Sequence, residues 1–128
     1  MVRKIIKVEA DSYLRKAEEF LSSAQDNLTN GRPNAAGFDA TQAIINANDA
    51  LTIYFLEKRA STDHREAIKL HIDVIRITSD SSCRNIIKNA LEMRSAVGYL
   101  GESIAHSKAA TLVRSAIKFV DWVKRYIK

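Results

Sequence analysis

The sequence predicts an all-α fold, an antiparallel up-and-down bundle of four to five helices. Three observations carry that expectation. Apolar residues recur every third or fourth position through most of the chain, the period of a helix with one buried stripe. Only 4 Gly and 1 Pro occur in 128 residues, so few places force a helix to stop, and turns are too scarce for a sandwich or barrel. Strand-like alternation is confined to Lys4-Ile-Ile-Lys-Val8, which is too short to build a sheet. The length fits one domain over residues 1–128, large enough to bury a real core.

The first helix is expected to start at Asp11 or Ser12, both good N-caps. Leu14, Ala17, Leu21, Ala24 and Leu28 form its stripe, widened by Phe20. Asn30-Gly31 ends it, because Gly accepts the left-handed conformation of a C-terminal cap. Pro33 opens the second helix, where its missing N–H costs nothing in the first turn, and that helix is expected to reach about Arg59. Ala36, Ala40, Ala43, Ala47, Ala50 and Tyr54 mark one seam of it; small residues there let a neighbour approach closely. A connector of capping residues, Arg59 to Asp63, precedes a third helix from about His64 to Ile77, which carries Ile68, Ile72 and Ile75. Thr78 to Ser82 is the second clear break. The fourth helix is expected from about Asp80 to Val97, with Cys83, Ile87, Ala90 and Val97 on one face, and Gly98-Tyr-Leu-Gly101 interrupts it. The last begins between Ser103 and Ser107 and runs to the end, with Ala109, Leu112, Ala116, Phe119, Val123 and Tyr126 as its stripe.

Charge and motifs exclude several function classes. The net charge of +5 permits contact with nucleic acid without requiring it. No apolar run approaches the length of a bilayer span, so no membrane partner is expected. The first residues carry charge where a signal peptide needs an apolar stretch, and the single Cys suits a reducing compartment, so a cytoplasmic location is expected. One Cys excludes an internal disulfide and a Cys-based zinc site. Gly-rich phosphate loops, Walker patterns and nucleophile elbows are missing from the sequence, and no cofactor is expected.

Four constellations remain. His64 and His71 share a helix face, but about 10 Å of rise separates them, too far to hold one ion; they read as surface or capping side chains, with no metal site. Cys83 lies where a helix N-terminus could activate a thiolate, yet it also falls on the stripe with Ile87 and Ala90, which favours a small buried side chain. Basic residues gather at both ends, Arg3, Lys4 and Lys7, then Arg114, Lys118, Lys124, Arg125 and Lys128; a solvated face is the first reading and an RNA-binding face the second. Asp39, Gln42, Asn46 and Asp49 form a polar stripe on the second helix. It faces either solvent or a polar cleft or partner, since short Asn and Asp side chains are poor helix formers for a plain outer surface. Trp122 flanks the last stripe and is expected to be exposed enough to serve an interface.

Tyr13-Leu-Arg-Lys-Ala-Glu-Glu-Phe20 and Asn34-Ala-Ala-Gly-Phe-Asp-Ala-Thr-Gln-Ala43 resemble segments of HEPN domains, the "higher eukaryotes and prokaryotes nucleotide-binding" group. Asp63-His-Arg-Glu-Ala67 and Phe119-Val-Asp-Trp-Val123 are similar too, and their order covers nearly the whole chain. The resemblance implies a helical bundle, often a homodimer, acting in toxin–antitoxin, defence or RNA-processing systems. It implies binding of a nucleotide, RNA or a partner protein, with a nucleotidyltransferase subunit as one such partner. Active members cut RNA without metal through an Arg-x(4–6)-His motif. Arg94-Ser-Ala-Val-Gly-Tyr99 matches its Arg but has Tyr in place of the His. A phenol with pKa near 10 is a poor proton carrier at neutral pH, so the match favours binding over cleavage, with a metal-independent endoribonuclease toxin as the alternative. The expected site is Asp39, Gln42, Asn46 and Asp49 with Arg94, Ser95 and Tyr99; Tyr99 and His106 are the substitute proton carriers available.

Overall fold

Two kinds of local signal divide the chain: residues that turn left-handed, glycine or not, and polar side chains that fold back on the backbone. In a computed structural model, residues 2–60, 63–99 and 101–127 are described, with the side chains of 97–99 outside the description. Among the described residues all regular structure is helical: α1 Val2–Thr29, α2 Pro33–Leu56, α3 His64–Thr78, α4 Arg84–Tyr99 and α5 His106–Tyr126. Among the described residues no helix is long and apolar enough to cross a membrane.

α1 begins well before Asp11, a correction to the expected start. Ile6 and Ala10 are buried and continue the Leu14–Ala17 stripe backwards at helical spacing. Asp11 is an interior residue, paired with Lys7 one turn earlier at 3.3 Å. The strand-like look of Lys4–Val8 comes from Ile5 and Val8, which sit on the outer face, 63% and 62% exposed. Arg3 fixes this first turn to the far end of α2, donating to the Tyr54 carbonyl at 3.1 Å. The other end of α1 closes as expected. Gly31 takes φ 72°, Gly31 N–H reaches Leu28 O, and Arg32 N–H reaches Asn27 O at 2.8 Å. That is a Schellman cap.

α2 lies at the centre and touches every other helix. Ala36, Ala40, Ala43, Ala47 and Ala50 have no exposed surface, and α1 packs most extensively against α2. The small-residue seam therefore serves packing within the chain. α2 stops at Leu56, short of the expected Arg59, because Glu57 turns left-handed at φ 58°.

α4 starts at Arg84, later than the expected Asp80, because Asp80 spends its carboxylate elsewhere. Its Oδ1 accepts from the Ser82 N–H and hydroxyl, and its Oδ2 accepts from Trp122 Nε1 at 2.8 Å and Tyr126 OH at 2.7 Å. This ties the α3–α4 turn to α5. It also corrects the expectation for Trp122, which is 2% exposed and packs among His71, Phe119 and Tyr126. At its far end α4 continues through Gly98; the break comes at Gly101, φ 70°. The loop that follows is held against the start of α2. Asn34 Oδ1 accepts from Ile104 N–H at 2.7 Å, and a Cβ on buried Gly37 would collide with Ile104 Cδ1.

Candidate functional site

The central position of α2 decides what its polar stripe can do. A helix covered on nearly all sides has little outer face, so each stripe residue meets a different neighbour. Asp39 faces α1, accepting from Ser23 Oγ at 2.7 Å and Asn27 Nδ2 at 2.9 Å. Gln42 is half-buried, with Oε1 lacking a partner among the described residues. Asn46 donates to the Gln42 carbonyl of its own helix at 2.8 Å. Only Asp49 opens into a cleft.

That cleft is a crevice of about 40 Å³ between α2, the start of α3 and α4. Asn48 and Asp49 come from α2, Asp63 and His64 from the opening of α3, and Arg94 from α4, over an apolar floor that includes Ile87 and Leu91. Asp63 caps α3, its side chain accepting from Arg65 N–H at 2.9 Å; this directs His64, the first helical residue, into the crevice. Asp49 is 8% exposed. Burial pushes its carboxyl up to about 6, against the opposing pull of Arg59 and Lys16, so near neutrality it exchanges a proton readily.

Ser95 is half-buried and does not line the crevice. The Tyr99 side chain lies outside the described residues, at the end of α4. His106 opens α5, exposed, and is not part of the crevice. Sequence reasoning missed His64 as a crevice residue. The sequence marks it only as one of a histidine pair and within the family-like segment Asp63–Ala67, and the Asp63 cap beside it fixes where α3 begins but not what that end faces.

Behind the crevice lies a second polar layer. His71 has no exposed surface, a correction to the surface reading. Its Nδ1 meets Asn48 Oδ1 at 2.8 Å, and Asn48 Nδ2 donates to the Ala67 carbonyl at 3.4 Å. An amide oxygen only accepts, so Nδ1 carries the proton and Nε2 is the bare nitrogen. Burial pulls the imidazole down to about 4, so His71 is neutral at pH 7. Cys83 is fully buried, and burial raises its thiol; it is a packing residue rather than an activated thiolate. Among the described residues no group of three or more His, Cys, Asp and Glu is arranged to hold a metal.

A family model described as HEPN domain matches residues 10–126. No curated protein matches the chain.

Proposed function

The chain belongs to the HEPN domain family, and from that premise we propose that it binds a nucleotide or RNA through the α2–α3–α4 crevice, with Arg94 holding a phosphate. The observation that carries this reading is the convergence of Arg94, Asp49 and His64, from three separate helices, on one crevice. A guanidinium presents planar paired donors that match phosphate oxygens. Asp49 gains a proton as pH falls through about 6, which removes a negative charge from beside the incoming anion. A binding titration with a fluorescently labelled single-stranded tetranucleotide tests the site. Arg94→Ala is expected to weaken binding at least about tenfold, the worth of one charge-assisted contact. Unchanged affinity overturns the reading.

His64 favours a second reading, a metal-independent endoribonuclease. It brings to the crevice the imidazole that Arg94–Tyr99 lacks. A neutral imidazole can take the proton of a ribose 2′-hydroxyl. The 2′-oxygen then attacks phosphorus, the bond to the 5′-oxygen breaks, and the leaving oxygen receives a proton from an acid such as neutral Asp49, leaving a 2′,3′-cyclic phosphate. RNA cleavage that resists chelators and disappears in both Arg94→Ala and His64→Ala supports this; RNA left intact by the wild type removes it. The homodimer, the toxin–antitoxin or defence setting and a nucleotidyltransferase partner are proposed on the family resemblance alone. Light scattering checks the first of them and co-purification the last.

A further inference from the structure

Among the described residues, the open surfaces outside the crevice differ in charge. The cleft between α4 and α5, lined by Glu92, Glu102 and Lys108, carries mixed charge and favours no polyanion. The outer face at the start of α1 sets exposed Val2, Ile5 and Val8 beside Arg3, Lys4 and Lys7, with Arg3 engaged with Tyr54 and Lys7 with Asp11. The outer face of α3 differs from both. Arg65, Lys69 and Arg76 lie on it with Ile68 and Ile72, against Asp73 as the one carboxylate lining it.

At spacings of four and seven residues the three cations project along one line of the helix. Their bases are separated by about 6 Å and about 10 Å of rise. The Arg65 and Arg76 side chains are 94% and 76% exposed, and Lys69 makes no ion pair among the described residues. Arg65 stands 3.9 Å from Asp63 and Arg76 3.2 Å from Asp73. Pairs so exposed to water are worth little and yield readily to a competing phosphate. The row begins immediately after His64, which lines the crevice.

We propose that this row continues the crevice: it carries the phosphate backbone of a single-stranded RNA whose other end sits at Arg94, so the ligand is an oligonucleotide rather than a mononucleotide. The proposal rests on the crevice being the phosphate site. Charge along the crest of the helix suits a polyanion strand. An acidic partner helix would instead need a continuous apolar line at the crest, whereas three cations stand there against Ile72 alone, with the half-buried Ile68 to one side. Bases of the strand would rest on Ile68 and Ile72. The cations of α5, Arg114, Lys118 and Arg125, are also exposed, but α5 contributes no residue to the crevice lining, whereas α3 contributes His64 and Ala67.

The test compares a labelled single-stranded tetranucleotide with a dodecanucleotide, using the double variant Arg65→Glu/Lys69→Glu, whose far-ultraviolet circular dichroism verifies folding. The dodecanucleotide is expected to bind wild type more tightly. The double variant should weaken it about tenfold or more and lower its salt slope by about 1.4, the loss of two phosphate contacts on a single strand. The tetranucleotide should be unaffected. Lys118→Glu should change neither. Equal wild-type affinity for both lengths overturns the proposal, as does a double variant that holds the dodecanucleotide normally, or an equal loss in Lys118→Glu. It is also overturned if an acidic amphipathic peptide, but not RNA, loses binding in the double variant. Failure of the crevice reading looks different: Arg94→Ala then leaves the tetranucleotide bound normally.

Discussion

Asp80 and Asp49 are the same side chain in opposite settings. Asp80 sits at a turn, where Ser82, Trp122 and Tyr126 supply four donors to its two oxygens. Those hydrogen bonds, the Ser82 hydroxyl foremost, hold its carboxyl far below the usual carboxylate range. Asp49 is buried in the crevice, and burial holds its carboxyl well above that range, at about 6. The first arrangement stabilises the fold. The second costs stability whenever the carboxylate is ionised, and a residue kept at such a cost is a candidate for work other than folding. The pair separates a structural carboxylate from a functional one by the sign of its shift.

The largest effect expected is at the structural end. Asp80→Ala removes the acceptor of Trp122 Nε1, whose ring is buried, and of the Tyr126 hydroxyl. Hydrogen bonds to a charged group contribute about 1.5–3 kcal/mol each, and a stranded buried donor costs more. A loss of about 3 kcal/mol in urea unfolding is expected, with the HSQC signal of the Trp122 indole N–H shifted. A loss below about 1 kcal/mol would mean that the knot is incidental and the contrast with Asp49 false.

Asp49→Asn tests the other side, and its sign is opposite. Because the folded carboxyl has a raised pKa, its favourable contribution is complete below about pH 4 and is lost as pH rises through about 6. A neutral Asn escapes that loss. The variant should match wild type near pH 4 and exceed it by about 1–2 kcal/mol at pH 7, less than the whole shift because the amide also needs partners. His71 supplies an opposing slope. Its folded pKa of about 4 lies below the ordinary 6.5, so its contribution is present above about 6.5 and fades as pH falls towards 4. Between these limits the two slopes, each at most about 1.4 kcal/mol per pH unit, nearly cancel. Wild-type stability should be flat from about pH 4.5 to 6, and Asp49→Asn should uncover a rising slope. A variant whose slope matches that of the wild type would show that Asp49 has no raised pKa.

The same contrast explains what the sequence discloses. The breaks at Gly31 and Pro33, the five helices and the alanine seam of α2 follow from local chemistry, and the fold meets them. The start of α1 is hidden because Ile5 and Val8 place apolar residues on an outer face, which scrambles the helical period. The stripe Asp39–Asp49 stands out in sequence, but its members separate only in three dimensions: α1 satisfies Asp39, while Asp49 meets side chains from α3 and α4. Burial of Trp122 and His71 depends on partners remote in sequence, Asp80 and Asn48. No periodicity predicts such pairs.

The smallest effect compares two left-handed helix ends, one beside Asp80 and one closing the helix that carries Asp49. Ser79, just before Asp80, and Glu57, at the C-terminal end of α2, take φ 59° and 58°. Each N–H caps its helix, bonding Ile75 O and Ile53 O. An L-residue there costs about 1–2 kcal/mol, and Gly relieves this while giving back part of it as unfolded-chain entropy. Glu57→Gly should therefore gain about 0.5 kcal/mol, raising Tm by about 2 °C. Ser79→Gly should gain as much only if the Asp80 knot is rigid by itself. Asp80 N–H also binds Thr78 Oγ1 at 3.2 Å, so the hydrogen bonds on both sides of position 79 ought to hold the turn without help from the serine. Equal gains at the two positions support a knot that sets its own geometry. A gain at Glu57 with a loss at Ser79 would show instead that the stiffness of residue 79 holds Asp80 in place, and that part of the stability assigned to the carboxylate belongs to the backbone before it.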